Sequence, residues 1–189
     1  MYLKKFIRNS MNQYHSSTAD TLKGLTADEL AYRPGPESMP IGFIAWHCAR
    51  VHDFLVQTVM RQTDEIWSTE GWADRLGRGP ADPQDRGFGF TLEQMTAFQI
   101  PDLSLLLEYG EAVRNQALGF LNSLSDEQLL GTWVDSPAGG RFTLASVYQQ
   151  IIWEMNQHGG QMAYVRGLQR GIEDRMKRSK VWEDAKFFE

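Results

Sequence analysis

Residues 143–168, TLASVYQQIIWEMNQHGGQMAYVRGL, decide the fold. Within this stretch Leu144, Val147, Ile151, Met155, Met162 and Val165 recur at three- and four-residue intervals, with His158 filling the longer gap. That is the spacing of one buried stripe on an amphipathic helix. Glu154 and His158 fall on the stripe, one turn apart. Side chains four apart on a helix stand about 5–6 Å apart at Cβ, and zinc takes imidazole nitrogen and carboxylate oxygen at about 2.0–2.2 Å, so both can reach one ion. A lone carboxylate on a buried face is costly unless something compensates its charge, and a divalent cation does so.

His47 repeats the pattern upstream. Between Ile41 and Met60, the residues Ile44, Val51, Phe54, Leu55 and Val59 form an apolar stripe, and His47 lies on it among Trp46, Cys48 and Val51. Two helices packed through these stripes would bring His47 towards Glu154 and His158. Taken singly, His47 reads as a core histidine bonded to a partner, and Glu154 can pair with Arg166 or His158. Taken together, the three read as a three-ligand metal site. The metal-free alternative makes them a buried hydrogen-bond network.

Four long helical segments are expected: 2–23, 41–62, 102–123 and 143–168. The fold class is all-α, a four-helix bundle. A weak internal repeat sharpens its topology. Leu22, Leu25, Thr26, Glu29 and Leu30 match Leu121, Leu124, Ser125, Gln128 and Leu129, each set being a helix end followed by an S/T-x-x-E/Q capping box. Each copy then passes through a Pro/Gly stretch, Arg33 to Pro40 or Ser136 to Gly140, into a helix bearing candidate ligands. The chain reads as two helix-linker-helix halves with crossover connections. Between them the glycine-rich region Gly71 to Phe90 is expected to be a lid, an oligomer contact or a mobile surface loop. A short helix from Leu92 to Phe98 follows, capped by Thr91 and Gln94.

With 189 residues and 42% hydrophobic content, the chain suits one domain, placed at 1–170 with a tail at 171–189. The tail carries Trp182, Phe187 and Phe188, which could dock on the bundle or on a second subunit. A single cysteine excludes a disulfide framework and favours a reducing compartment. No apolar h-region opens the chain and no run approaches a membrane span of about 20 residues, so a cytoplasmic protein is expected. A formal charge of −5 speaks against nucleic-acid binding. None of the glycines forms a P-loop or dinucleotide fingerprint.

Three stretches in order carry a family likeness. They are LTADEL (25–30) leading into IGFIAWH (41–47), then Trp67 with Gly71 and Trp72, then EMNQHGGQ (154–161) continuing to Arg166 and Gly167. Together they resemble the DinB-like superfamily of four-helix-bundle metalloproteins. Many members carry a third histidine where this chain has Glu154. The His, Glu, His set is similar to that of the mycothiol-dependent maleylpyruvate isomerase and thiol S-transferase branch. The resemblance implies a bundle with a metal near one end, a homodimer, and an enzyme using bacillithiol, mycothiol or glutathione.

On that basis His47, Glu154 and His158 are the expected metal ligands, with zinc first and nickel or iron as alternatives. The metal would activate a low-molecular-weight thiol for transfer to a small-molecule acceptor, or for isomerisation. Gln161 and Arg166 are expected beside the ligands or the substrate, and Trp46 and Trp72 could wall a pocket. Gly159 and Gly160 suggest close approach of a backbone or ligand. Cys48 points about 100° from His47 on a helix, so it reads as a small buried residue, while His15 and His52 read as surface or partner-bonded. Two rival classes remain: a non-catalytic metal-binding dimer, and a non-haem iron enzyme using two histidines and one carboxylate.

Overall fold

The computed structural model describes residues 2–137 and 139–174. Its helices are α1 (Tyr2–Leu22), α2 (Ala27–Ala31), α3 (Ile41–Phe54), α4 (Ile66–Thr69), α5 (Trp72–Arg75), α6 (Leu92–Ala97), α7 (Leu103–Ser123), α8 (Asp126–Gly131) and α9 (Leu144–Arg170). The four expected long helices are α1, α3, α7 and α9. The helix that starts as α3 continues to Arg61, with Leu55–Arg61 in π geometry, and stops at Gln62 in the left-handed region.

The fold is all-α. Each of α1 and α3 packs against both α7 and α9. Among the described residues α1 and α3 make no comparable contact, nor do α7 and α9. Consecutive long helices within each half therefore sit on a diagonal, and each linker crosses one end of the bundle. Met11, Val113, Ala117, Leu121, Val147, Tyr148 and Ile151 fill the middle, all 1% exposed or less. The Tyr148 hydroxyl is buried with them and donates to the Ala117 carbonyl at 2.9 Å, which satisfies a polar group that would otherwise be stranded.

The capping boxes read from sequence are present at Thr26 with Glu29, Thr91 with Gln94, and Ser125 with Gln128, each reciprocal. The first and last start the short helices of the two crossovers, α2 and α8, and the Thr91 box starts α6 in the connection between the halves. In the second crossover the Pro/Gly stretch is the turn of an antiparallel hairpin, β1 (Trp133–Asp135) with β2 (Arg141–Thr143), in register Trp133 to Thr143. Its three-residue strands are too short to show a period of two. Thr143 then caps α9 by accepting from the Ser146 amide.

The first crossover returns at Pro40, and α3 enters the core at once: Pro40 to Arg50 are buried without exception. Gly42 makes that entry possible. A Cβ there would lie 2.3 Å from Ile100 Cγ2 and 3.3 Å from the Leu30 carbonyl. The aromatic expectations for Trp182, Phe187 and Phe188 lie outside the described residues. Among the described residues no helix is long and apolar enough to cross a membrane.

Candidate metal centre

α3 and α9 pack side by side, and across that seam the structure brings His47, Glu154 and His158 together. One ligand atom from each lies within 4.8 Å of the others. Glu154 Oε1 is 3.2 Å from His158 Nε2 and 3.8 Å from His47 Nε2. The two imidazoles meet edge to face, with centroids 5.2 Å apart. The spacing within α9 is the helical turn that the sequence shows. The third ligand is supplied by tertiary packing.

What the far side of each ring does decides the chemistry. His47 Nδ1 donates to the main-chain carbonyl of Arg86 at 2.5 Å, and a carbonyl only accepts, so the proton is at Nδ1 and Nε2 carries a lone pair. His158 stands between two acceptors, its Nδ1 bonded to Gln161 Oε1 at 2.7 Å and its Nε2 to Glu154 Oε1 at 3.2 Å; with the proton at Nδ1, its Nε2 is open to a metal as well. Burial holds the His47 pKa below its ordinary value, although the Arg86 carbonyl pulls the other way, so the neutral ligand form is favoured. Two imidazole nitrogens and a carboxylate oxygen thus converge on one point. A divalent cation fits that donor set, and an acceptor behind each ligating histidine is the usual second layer of a metal site. The side chain of His47 is 8% exposed, those of His158 and Glu154 13% and 15%, so one edge of the cluster faces solvent.

The glycine-rich region builds the wall behind His47. Residues 85–87 are half-buried against α3, while 79–84 and 88–89 are exposed. Arg86 contributes its carbonyl to His47, and Asp85 contributes its own to Arg50 Nε at 3.0 Å. Arg78 clasps the Asp85 carboxylate with two bonds of 2.9 and 3.0 Å. Gly87 adopts φ +77°, and a Cβ there would sit 2.6 Å from the Phe43 ring and 2.9 Å from Trp46. Only glycine meets both conditions.

Beneath the loop lies a buried ionic cluster. Arg50, one turn after His47 on α3, bonds Glu65 at 2.6 Å and the Tyr109 hydroxyl at 3.2 Å, and lies over the Trp67 ring. Asp53 accepts from the Ile66 and Trp67 amides and from Tyr109. Burial raises the Asp53 pKa to about 6, against the opposing pull of these bonds. The available signal in the sequence was two charged residues, Arg50 and Asp53, inside an apolar helix. Arg86 offered none, because it acts through its backbone.

Gln161 is placed against His158 as described, but three other expected site residues lie elsewhere. Arg166 is 1% exposed and spends its guanidinium on the Thr21 and Lys23 carbonyls and on Asp174, fastening α9 to the first crossover. Trp46 faces Phe43, Trp67, Phe90 and Phe98 in an aromatic cluster, turned from the site by the rotation between consecutive helical residues. Trp72 packs on Tyr109 and under Arg75. Cys48 is buried, as expected. His15 pairs with Glu111 at 2.7 Å and His52 with the Tyr14 hydroxyl at 3.1 Å. Among the described residues no close neighbour explains Gly159 and Gly160: a Cβ at Gly159 would make ordinary contact with Thr18 Oγ1 at 3.7 Å, and one at Gly160 would meet nothing within 4 Å.

Fold and site define an all-α bundle whose α3 and α9 present a His/Glu/His group able to hold a divalent metal. The chain belongs to the DinB superfamily, whose family model matches residues 12–162. Its fold is similar to that of a conserved protein from Enterococcus faecalis, with a TM-score of 0.74 at 22% identity over 86% of this chain and 94% of that one. No functionally curated protein matches the sequence.

Proposed function

We propose that the protein is a divalent-metal-dependent enzyme that uses a low-molecular-weight thiol, as an S-transferase or a thiol-dependent isomerase acting on a small-molecule acceptor. His47, Glu154 and His158 are its metal ligands, and zinc is the first candidate. The observation that carries this reading is the convergence of His47 Nε2, Glu154 Oε1 and His158 Nε2, with both distal ring nitrogens already committed to acceptors.

A zinc ion with three protein ligands keeps a fourth position and makes a thiol bound there a thiolate at neutral pH. The residues supply the rest. Arg86 and Gln161 hold the two imidazoles in the ligating tautomer, and Glu154 brings the negative charge that a dication needs. The solvent-facing edge at Glu154 and His158 gives a small molecule access. The protein's own thiol is unsuited to the nucleophile's role, because burial and the nearby Glu154 push the Cys48 pKa up. A thiol from solution supplies what Cys48 does not. The likeness of this triad to the thiol-using branch supports the same choice.

Elemental analysis of the purified protein beside His158→Ala tests the metal. Near-stoichiometric zinc in the wild type, lost in the variant, is expected, followed by turnover with bacillithiol, mycothiol or glutathione and an electrophilic or isomerisable acceptor. Absence of any metal after reconstitution overturns the reading. Bound iron with oxygen consumption would move the site to non-haem iron chemistry, and metal without thiol turnover would make the protein a non-catalytic binder.

A further inference from the structure

The region between Gly77 and Phe90 has no helix or strand of its own, yet it makes the tightest main-chain contact to the ligand cluster. Two consecutive carbonyls, those of Asp85 and Arg86, are held by two side chains one turn apart on α3, Arg50 and His47. The segment is closed on itself by the two-bond clasp between Arg78 and Asp85, and it is pressed onto Phe43 and Trp46 at Gly87. The Arg86 guanidinium lies 4.0 Å over the Phe54 ring, anchoring the same residue on its other side. Phe43 in turn stacks on His47, with rings 9° from parallel.

We propose that Arg78, Asp85 and Gly87 are positioning residues for the metal site, acting through the Arg86 carbonyl on the tautomer and orientation of His47. The inference rests on the metal reading above and adds to it a coupling between loop order and metal affinity. A loosened segment lets the carbonyl leave Nδ1. His47 then loses its fixed tautomer and can rotate, and the three-donor set becomes a two-donor set on α9 for part of the time. Partners behind metal-bound histidines commonly change affinity by about 10- to 100-fold when removed. Because coupling between two equilibria is reciprocal, metal bound at the cluster must tighten the segment by the same factor.

The Arg78 and Asp85 side chains are 20% and 15% exposed and touch no ligand, so their clasp can be broken without entering the donor set. The test is zinc affinity of the full chain by chelator competition for wild type, Arg78→Ala, Arg78→Lys and Gly87→Ala. It is paired with amide hydrogen exchange of residues 78–88 in the wild type, with and without zinc. Arg78→Ala and Gly87→Ala are expected to bind zinc at least tenfold more weakly. Arg78→Lys, which keeps the charge but only one bond, should recover part of the loss. Zinc should slow exchange at 78–88 in the wild type, a readout that does not depend on any variant folding. An Arg78→Ala affinity within twofold of wild type, or exchange at 78–88 indifferent to zinc, overturns the inference while leaving the metal site standing. A wild type that binds no zinc overturns the metal reading itself and this inference with it.

Discussion

Glu154 Oε1 and Gln161 Oε1 stand on opposite sides of the His158 ring, 3.2 Å from Nε2 and 2.7 Å from Nδ1. With the ring proton given to Gln161, the Nε2 lone pair and the Glu154 carboxylate are left to share a cation. Gln161 is the residue placed to draw the proton to Nδ1. Replacing Gln161 by Ala should leave the helix intact, since Ala is the best helix former, and should weaken metal binding by about 10- to 100-fold. Chelator competition measures this directly. Unchanged affinity would show that Gln161 does not set the His158 tautomer.

Glu154→Gln separates the metal site from a metal-free hydrogen-bond network. The substitution keeps shape and removes the charge. Wild-type protein with zinc at 100 times its dissociation constant should gain about 2.7 kcal/mol of stability, visible as a rise in Tm. Glu154→Gln should show little of that rise and should retain no stoichiometric metal. Equal metal content at background in both proteins would instead support the network.

His52 is expected to destabilise the fold in acid. It is 4% exposed, it meets Tyr14 through Nδ1, and its Nε2 has no hydrogen-bond partner among the described residues. Burial, helped by the charge of His15, lowers its pKa to about 3. A histidine depressed in the folded state contributes stability that is full above the unfolded value, near 6.5, and is lost as pH falls through that value towards 3. Between pH 7 and pH 5 the loss from this one group is about 2 kcal/mol. Urea denaturation at the two pH values should show that difference shrinking by a similar amount in His52→Gln. Asp53, whose pKa burial raises to about 6, acts in the opposite direction and is unchanged in that comparison. A difference as large in the variant as in wild type would assign the acid sensitivity elsewhere.

The residues that were legible in the sequence are those whose partners are local. The period of α9 and the four-residue step from Glu154 to His158 are properties of one helix, and so are the three capping boxes. The crossovers could be read because both halves repeat the same helix end. The direction of Trp46 could not be read. Residues 40–50 are all buried, so α3 has no polar face against which to orient its apolar one, and hydrophobicity alone does not say whether Trp46 or His47 looks at α9. Arg86 was illegible for another reason: its contribution is a carbonyl, which every residue has. Arg166 looked like a site residue because it follows His158 on the same helix, but eight residues of α-helix carry it about 12 Å away, into the first crossover.

Arg50 is the residue whose loss should cost the fold most. It is fully buried, its partner Glu65 is 4% exposed, and both lie beneath the segment that supports His47. Removing Arg50 takes the nearest cation from Glu65 and from Asp53, at 2.6 and 3.6 Å, and leaves Glu65 the Arg86 guanidinium at 3.7 Å; breaking such a buried pair from one side costs up to about 3–5 kcal/mol. Arg50→Met should therefore destabilise the protein by that order in chemical denaturation. It should also release the Asp85 carbonyl and so weaken metal binding. Adding Glu65→Gln removes the stranded charge, and the double variant should regain part of the stability. It should not regain metal affinity, because the Asp85 carbonyl still has no donor. Recovery of both together would mean that Arg50 serves the site only by keeping the protein folded.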